Sequence, residues 1–204
     1  MGTGSTGTII LAAGDSTRMG TTKALLRIEG RTFIEQIHRL HLGISKKICI
    51  ILGRQADVIR SRVKLKGAVL LRNPRPEEGP LSSIRIGLRE LEGSTGVIIH
   101  AVDQPLVRRA TIRILQSTHS QYPDAIIIPC RAERRGHPVL FPSGLFPDLL
   151  RAPLDVGARW VVRQNPGAVR LVEVDDPGIL ENINTPEDWK RIESRRSTVS
   201  ASDN

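Results

Sequence analysis

Residues 8–23 read TIILAAGDSTRMGTTK. The opening run, Thr8 to Ala13, is apolar and rich in β-branched side chains, the pattern of a strand buried on both faces. The stretch from Gly14 to Lys23 is small, polar and glycine-containing, the composition of a loop that leaves such a strand. The same alternation repeats outward from it. Further strands are expected at Lys47 to Leu52, Ala68 to Leu71, Gly96 to Val102, Asp124 to Pro129, Pro138 to Phe141 and Val169 to Val174. Amphipathic helices are expected at Thr32 to Leu42, Ala56 to Lys64, Ser82 to Leu91, Arg108 to His119, Asp155 to Arg163 and Thr185 to Arg195. Strands that alternate with helices imply right-handed βαβ crossovers and a mostly parallel sheet covered on both faces. The expected fold is one three-layer α/β/α domain over residues 8–193. Residues 1–7 and 194–204 offer almost nothing to bury and are expected to be flexible.

The chain has 204 residues, enough for a full hydrophobic core. Cys49 and Cys130 both lie in apolar runs and read as reduced, buried thiols, which predicts a cytoplasmic protein. No apolar run approaches the roughly 18 residues of a membrane span, and MGTGSTG lacks the pattern of a signal peptide. With 30 Lys+Arg against 21 Asp+Glu, the formal charge is +9. Such a field favours anionic partners. Aromatic residues make up only 3%, which argues against nucleic acid bound by base stacking. Nucleic acid, a membrane surface and phosphorylated small molecules are all anionic, and the charge alone does not choose among them.

In open parallel sheets, ligands bind beyond the carboxyl ends of the strands, so the loops that follow strands carry the chemistry. Gly2, Gly4 and Gly7 match G-x-G-x-x-G but precede the first strand instead of following it, so that match has the wrong context. The loop after Thr8 to Ala13 has the right one. Leu11, Ala12, Ala13 and Gly14 let a ligand approach the backbone closely, and turn amides there form an anion nest. Arg18 and Lys23 add a forked and a compact cation for phosphate oxygens. The strand VIIHAV ends in Asp103-Gln104-Pro105, which sets a carboxylate where polyphosphate would lie and where Mg²⁺ takes oxygen ligands. No Ser/His/Asp or Cys/His constellation is visible.

LAAGDSTRMGTTK resembles the signature of the MobA-like nucleotidyltransferases, especially the molybdenum cofactor cytidylyltransferase-like (MocA-type) group. The likeness continues in Asn73, in GPLSSIRIGL from Gly79, in Asp103-Gln104-Pro105, in GHPVLF from Gly136 and in Asn182-Ile183-Asn184-Thr185-Pro186. It spans Ile9 to Trp189. It implies a Rossmann-like sheet of the nucleotide-diphospho-sugar transferase type. It also implies that Leu11 to Gly14 wrap an NTP, with Arg18 and Lys23 on its phosphates. Ser82 and Ser83 would face base or ribose, and His137 would belong to the substrate site. Asp103 and one asparagine of the closing motif, Asn184 or Asn182, would hold Mg²⁺, and Arg131, Arg134 and Arg135 are candidates for a phosphate of the second substrate.

The reaction that the resemblance implies is attack of an acceptor phosphate oxygen on the α-phosphorus of the NTP, with loss of pyrophosphate. CTP is the favoured nucleotide, the molybdopterin cofactor the expected acceptor, and a molybdoenzyme a possible onward partner. The alternatives are another phosphorylated acceptor, such as a sugar phosphate or phospho-acid, and a non-catalytic chaperone that carries the molybdenum cofactor. Two departures stand out: Leu154, where relatives commonly have Gly, bears on the acceptor pocket, and asparagines in place of aspartates in the closing motif bear on the second metal ligand and on the subfamily.

Overall fold

A computed structural model describes residues 5–14 and 22–202, with side chains described through Ser194. Arg18 lies outside the described residues. The central sheet runs in the order β10-β7-β9-β6-β1-β4-β5, with the two-residue β8 added on β7. Its strands are β1 (Gly7–Ala12), β4 (Lys47–Leu52), β5 (Ala68–Arg72), β6 (Gly96–Ala101), β7 (Ile126–Arg131), β8 (Arg134–Arg135), β9 (Val139–Pro142) and β10 (Val169–Glu173). A separate small hairpin pairs β2 (Arg27–Ile28) with β3 (Arg31–Thr32). The strands β4, β5, β6, β7, β10 and β1 all run one way, and β9 runs antiparallel between β6 and β7. At the edge where the parallel strands end, therefore, those strands contribute the residues that follow them, whereas β9 contributes the residues that precede it, Gly136 and His137.

Both faces are covered. Ile9, Cys49, Ile51, Val97 and Ile128 pack on one side with Leu81, Ile84 and Leu88 of α3 (Pro80–Arg89), with Leu149 of α5 (Phe146–Arg151) and with Val161 of α6 (Arg159–Gln164). On the opposite side Ile10, Ile48, Ile50 and Leu52 meet α1 (Phe33–His41) and α2 (Ala56–Arg62). Ile98, Ile127 and Leu140 meet α4 (Arg109–Gln121) on that same side. Burial on both faces accounts for the unbroken apolar runs read from the sequence.

The boundaries differ from expectation at both ends. Thr6 is fully buried, its carbonyl accepts from Lys46 N at 3.0 Å, and Ser5 O accepts from Thr95 N. The fold thus takes up residues 5–7, which were expected to be loose, because backbone groups there pair with residues just before β4 and β6, the strands on either side of β1. At the other end α7 runs Pro186–Ser202, past the expected stop at Arg195, since no Gly or Pro interrupts it. Its start is a capping box: Asp188 accepts from Asn184 N and Thr185 N, while Thr185 Oγ1 accepts from Asp188 N. Trp189 then packs edge-on against Phe33 of α1, with ring centroids 5.4 Å apart, and Ile183 and Ile192 join that cluster. This seats the closing motif against the body of the domain. Among the described residues no helix is long and apolar enough to cross a membrane.

Candidate active site

The first cleft opens where β1 and β6 end. Leu11, Ala13, Gly14, Lys23, Ser83 and Asp103 line it, with Pro76, Gly79 and Pro80 from the turn before α3. Ala12 does not line it; it packs into the sheet core instead. Gly53 decides how the first loop sits. A Cβ there would lie 2.2 Å from the carbonyl oxygen of Ala13, so only glycine lets the end of β4 pass this close to the end of β1.

Lys23, Asp103 and Asn184 come from three distant parts of the chain and meet here. Lys23 Nζ donates to Asn184 Oδ1 at 2.6 Å. Asp103 O accepts from Ile183 N at 2.8 Å, and Gln104 Nε2 donates to Asn182 Oδ1 at 2.7 Å, so the Asp103 turn and the closing motif are tied by two bonds. Asn182 is thereby committed to the fold, and Asn184 is the asparagine that faces Lys23. Burial pushes the Asp103 carboxyl above its ordinary pKa, while the Lys23 ammonium pulls it back. A buried carboxylate whose partner is a nearby cation has the electrostatics of a cation site. Its donors are hard oxygens, which suits a divalent ion such as Mg²⁺. No group of three or more His, Cys, Asp or Glu gathers for a metal among the described residues. The oxygens that could hold such an ion are one carboxylate and one amide; Lys23 bonds the amide oxygen and acts on the carboxylate through its charge.

The serines part company. Asn73 Nδ2 donates to Ser82 Oγ at 2.8 Å and to Ser83 Oγ at 3.0 Å. Ser82 Oγ donates in turn to Gly79 O at 2.7 Å. Because α3 begins at Pro80 and not at Ser82, Ser82 is inside the first turn and its hydroxyl serves the backbone; it does not line the cleft. Ser83 does line it.

His137 is not on the first cleft. It stands at the mouth of a second pocket of about 300 Å³, formed by β6, β7, β9 and α6 and floored by Ile99, Ile128, Val139 and Phe141. Crowding by protein lowers the imidazole pKa and the Asp103 carboxylate raises it, which places His137 electrically between the two cavities. Three guanidinium groups, those of Arg135, Arg159 and Arg163, ring the pocket. Arg131 and Arg134 do not: they line a separate cleft with Arg191. The reason is strand geometry, since successive β residues face opposite ways, so Arg134 and Arg135 cannot share a pocket. Neither Arg159 nor Arg163 was among the residues expected at the site; the signal for the pair is their spacing of one helical turn on α6.

A model of the MobA-like NTP transferase domain matches residues 8–169. The chain is 30% identical over 192 residues to the nicotine blue oxidoreductase of Paenarthrobacter nicotinovorans, covering 90% of this chain and 94% of that one. It is 24% identical over 192 residues to the molybdenum cofactor cytidylyltransferase of Escherichia coli, covering 94% and 97%. It is 30% identical over 189 residues to the molybdenum cofactor guanylyltransferase of Pseudomonas syringae, covering 87% and 88%. Among solved structures, Rv0371c of Mycobacterium tuberculosis superposes with a TM-score of 0.80 at 26% identity, covering 94% of this chain and 98% of that one, and the same protein was also solved in complex with manganese. The ordered motifs, the sheet and these likenesses agree: the chain belongs to the MobA-like NTP transferase domain family of nucleotidyltransferases.

Proposed function

We propose that the protein is a Mg²⁺-dependent cytidylyltransferase that joins CTP to the molybdopterin cofactor in the cytoplasm and releases pyrophosphate. The observation that carries the reading is the meeting of Lys23, Asp103 and Asn184 at the ends of β1 and β6, from segments far apart in sequence. The triphosphate would lie along Leu11 to Gly14, with Arg18 and Lys23 on its oxygens. A divalent ion on Asp103 and Asn184 would offset negative charge on the phosphates. The manganese complex of a structural neighbour supports a divalent ion of this kind.

The acceptor would sit in the second pocket. Its volume is at the lower end for a small-molecule site, it pairs an apolar floor with convergent cations, and Arg135, Arg159 and Arg163 form no ion pair with described residues. That chemistry suits a flat heterocycle bearing phosphate. The acceptor phosphate is already a competent nucleophile, so alignment with the α-phosphorus and charge stabilisation supply the rate, and no general base is needed. His137, at the seam between the cavities, would face the reacting phosphates. A dinucleotide product of this type would pass onward to a molybdoenzyme.

The test is a matrix of pyrophosphate release with CTP, GTP, ATP and UTP against molybdopterin cofactor and common sugar phosphates, with Mg²⁺ or Mn²⁺. Release from CTP with molybdopterin is expected. Release with GTP alone would move the base assignment, release with a sugar phosphate would move the acceptor, and no release with any pair would end the reading. A relative 30% identical to this chain is named an oxidoreductase, which favours a redox reaction as the second reading. Redox turnover in the absence of pyrophosphate release would support it.

A further inference from the structure

Two histidines that the proposed reaction does not use form a buried polar line beneath the cleft. His41, the last residue of α1, and His100, in the middle of the sheet on β6, are both fully inaccessible to solvent. His41 Nε2 and His100 Nδ1 are 3.0 Å apart, with the rings nearly perpendicular at 77°. His100 Nε2 reaches the carbonyl oxygen of Gln104 at 3.0 Å. At the far end His41 Nδ1 meets Thr8 Oγ1 at 3.0 Å, and Thr8 Oγ1 meets Ser45 Oγ at 2.7 Å.

The direction of every bond follows from its end. A carbonyl only accepts, so His100 Nε2–H donates to Gln104. The Nδ1 of neutral His100 is then an acceptor and takes a bond from His41 Nε2–H. His41 Nδ1 accepts from Thr8 Oγ1–H, and Thr8 accepts from Ser45 Oγ–H. Five groups thus point one way, and each imidazole has a single permitted tautomer. Burial keeps both rings neutral, with His100 lowered to about 4. The charged or titratable groups facing the pair are His38 and Arg109 toward His41, and His137 and Asp176 toward His100. Because the line ends on a carbonyl, it has no proton acceptor to feed and does not conduct protons. It fixes a position instead. Gln104 follows Asp103 directly, and its side chain holds Asn182, while Asp103 O holds Ile183 N.

We propose that His41 and His100 are positioning residues. By pinning the Gln104 carbonyl through one-way hydrogen bonds, they set the Asp103 turn and, through it, the Asn182 to Asn184 segment. The functional part of this inference rests on the nucleotidyl-transfer reading; the geometric part does not, and the two are tested separately.

Nitrogen-15 NMR of the ligand-free protein should show both rings as the Nε2–H tautomer, with shifts constant between about pH 6 and 8. An Nδ1–H ring, or one that titrates in that range, would overturn the proposal. His100→Leu removes both bonds, whereas the His100→Gln amide can accept from His41 and donate to Gln104. In ligand-free His100→Leu, exchange of the Ile183 amide should quicken by about 10-fold while strand amides of β4 stay protected. His100→Gln should restore slow exchange. In the transfer assay, His100→Leu should raise the KM for Mn²⁺ about 10-fold, with kcat at saturating Mn²⁺ within about threefold. Unchanged Ile183 exchange in folded His100→Leu, or equal loss in both variants, would overturn the proposal. Should His100→Leu not fold, Thr8→Val against Thr8→Ser repeats the comparison at the remote end: only the valine variant should quicken Ile183 exchange. A protein that passes the NMR and exchange tests yet transfers no nucleotide would refute the reaction and leave the strut standing.

Discussion

The two cavities are built on different terms. The first is made of backbone and small side chains, with one ammonium and one carboxylate held by a web of bonds between loops. The second is made mainly of side chains: an apolar floor and three arginines that form no ion pair with described residues. Backbone-built sites fix a reaction class, because any side-chain change leaves the amide geometry in place. Side-chain-built pockets vary freely, and they are where relatives of one fold take different acceptors. The contrast explains why the family follows from the first cavity and the acceptor remains a proposal about the second.

The largest expected effect breaks the first cavity. Asp103→Asn keeps shape and removes charge, and transfer should fall on the order of a thousandfold. The same change should raise the Tm of the ligand-free protein at pH 7. Because the Asp103 pKa is raised in the folded state, the folded protein holds this proton more tightly than the unfolded chain does. The resulting stabilisation is present below the ordinary carboxylate pKa and is lost as pH rises through the folded value. The Tm difference between variant and parent should therefore shrink on acidification; a variant less stable at pH 7 would contradict the burial argument. Next, Lys23→Met should lower kcat/KM for the nucleotide about a hundredfold, and Lys23→Arg should not recover it, because a planar fork cannot replace a point charge at 2.6 Å from Asn184 Oδ1.

The second cavity gives smaller numbers and a different signature. Arg159→Ala should raise the KM for the acceptor about 10-fold and leave that for the nucleotide unchanged. A matched rise in both would dissolve the distinction between the cavities. The smallest effect touches scaffolding: Gly53→Ala forces Ala13 aside and should destabilise by about 1–3 kcal/mol, read by urea denaturation.

Much of the first cavity was legible in the sequence because each part is a local motif at a strand end. Leu11, Ala13, Gly14, Lys23, Ser83 and Asp103 all line the cleft at the strand ends, whereas Ala12 turns into the sheet core. Asn184 was legible by its motif, but its choice over Asn182 depended on Gln104, whose amide claims Asn182 from 78 residues away. Ser82 falls inside the helix because α3 starts at Pro80, two residues earlier than the serine pattern suggests. The arginines were read by spacing in sequence, and the alternation of β8 then separated Arg134 from Arg135. The short elements α5 and β8 carry too little periodicity to be seen without their neighbours. Thr8 and His41 have no local signal of partnership at all; α1 and β1 must pack before the bond exists.

Lys23 already bonds the Asn184 oxygen and offsets the Asp103 charge. In the proposed reaction an incoming divalent ion would have to displace that ammonium, and a triphosphate would give the ammonium somewhere to go. Ion and nucleotide would then be thermodynamically linked: each should bind weakly alone and tighten the other by the same factor. The resident lysine would thus reserve the cation site for the moment when substrate arrives.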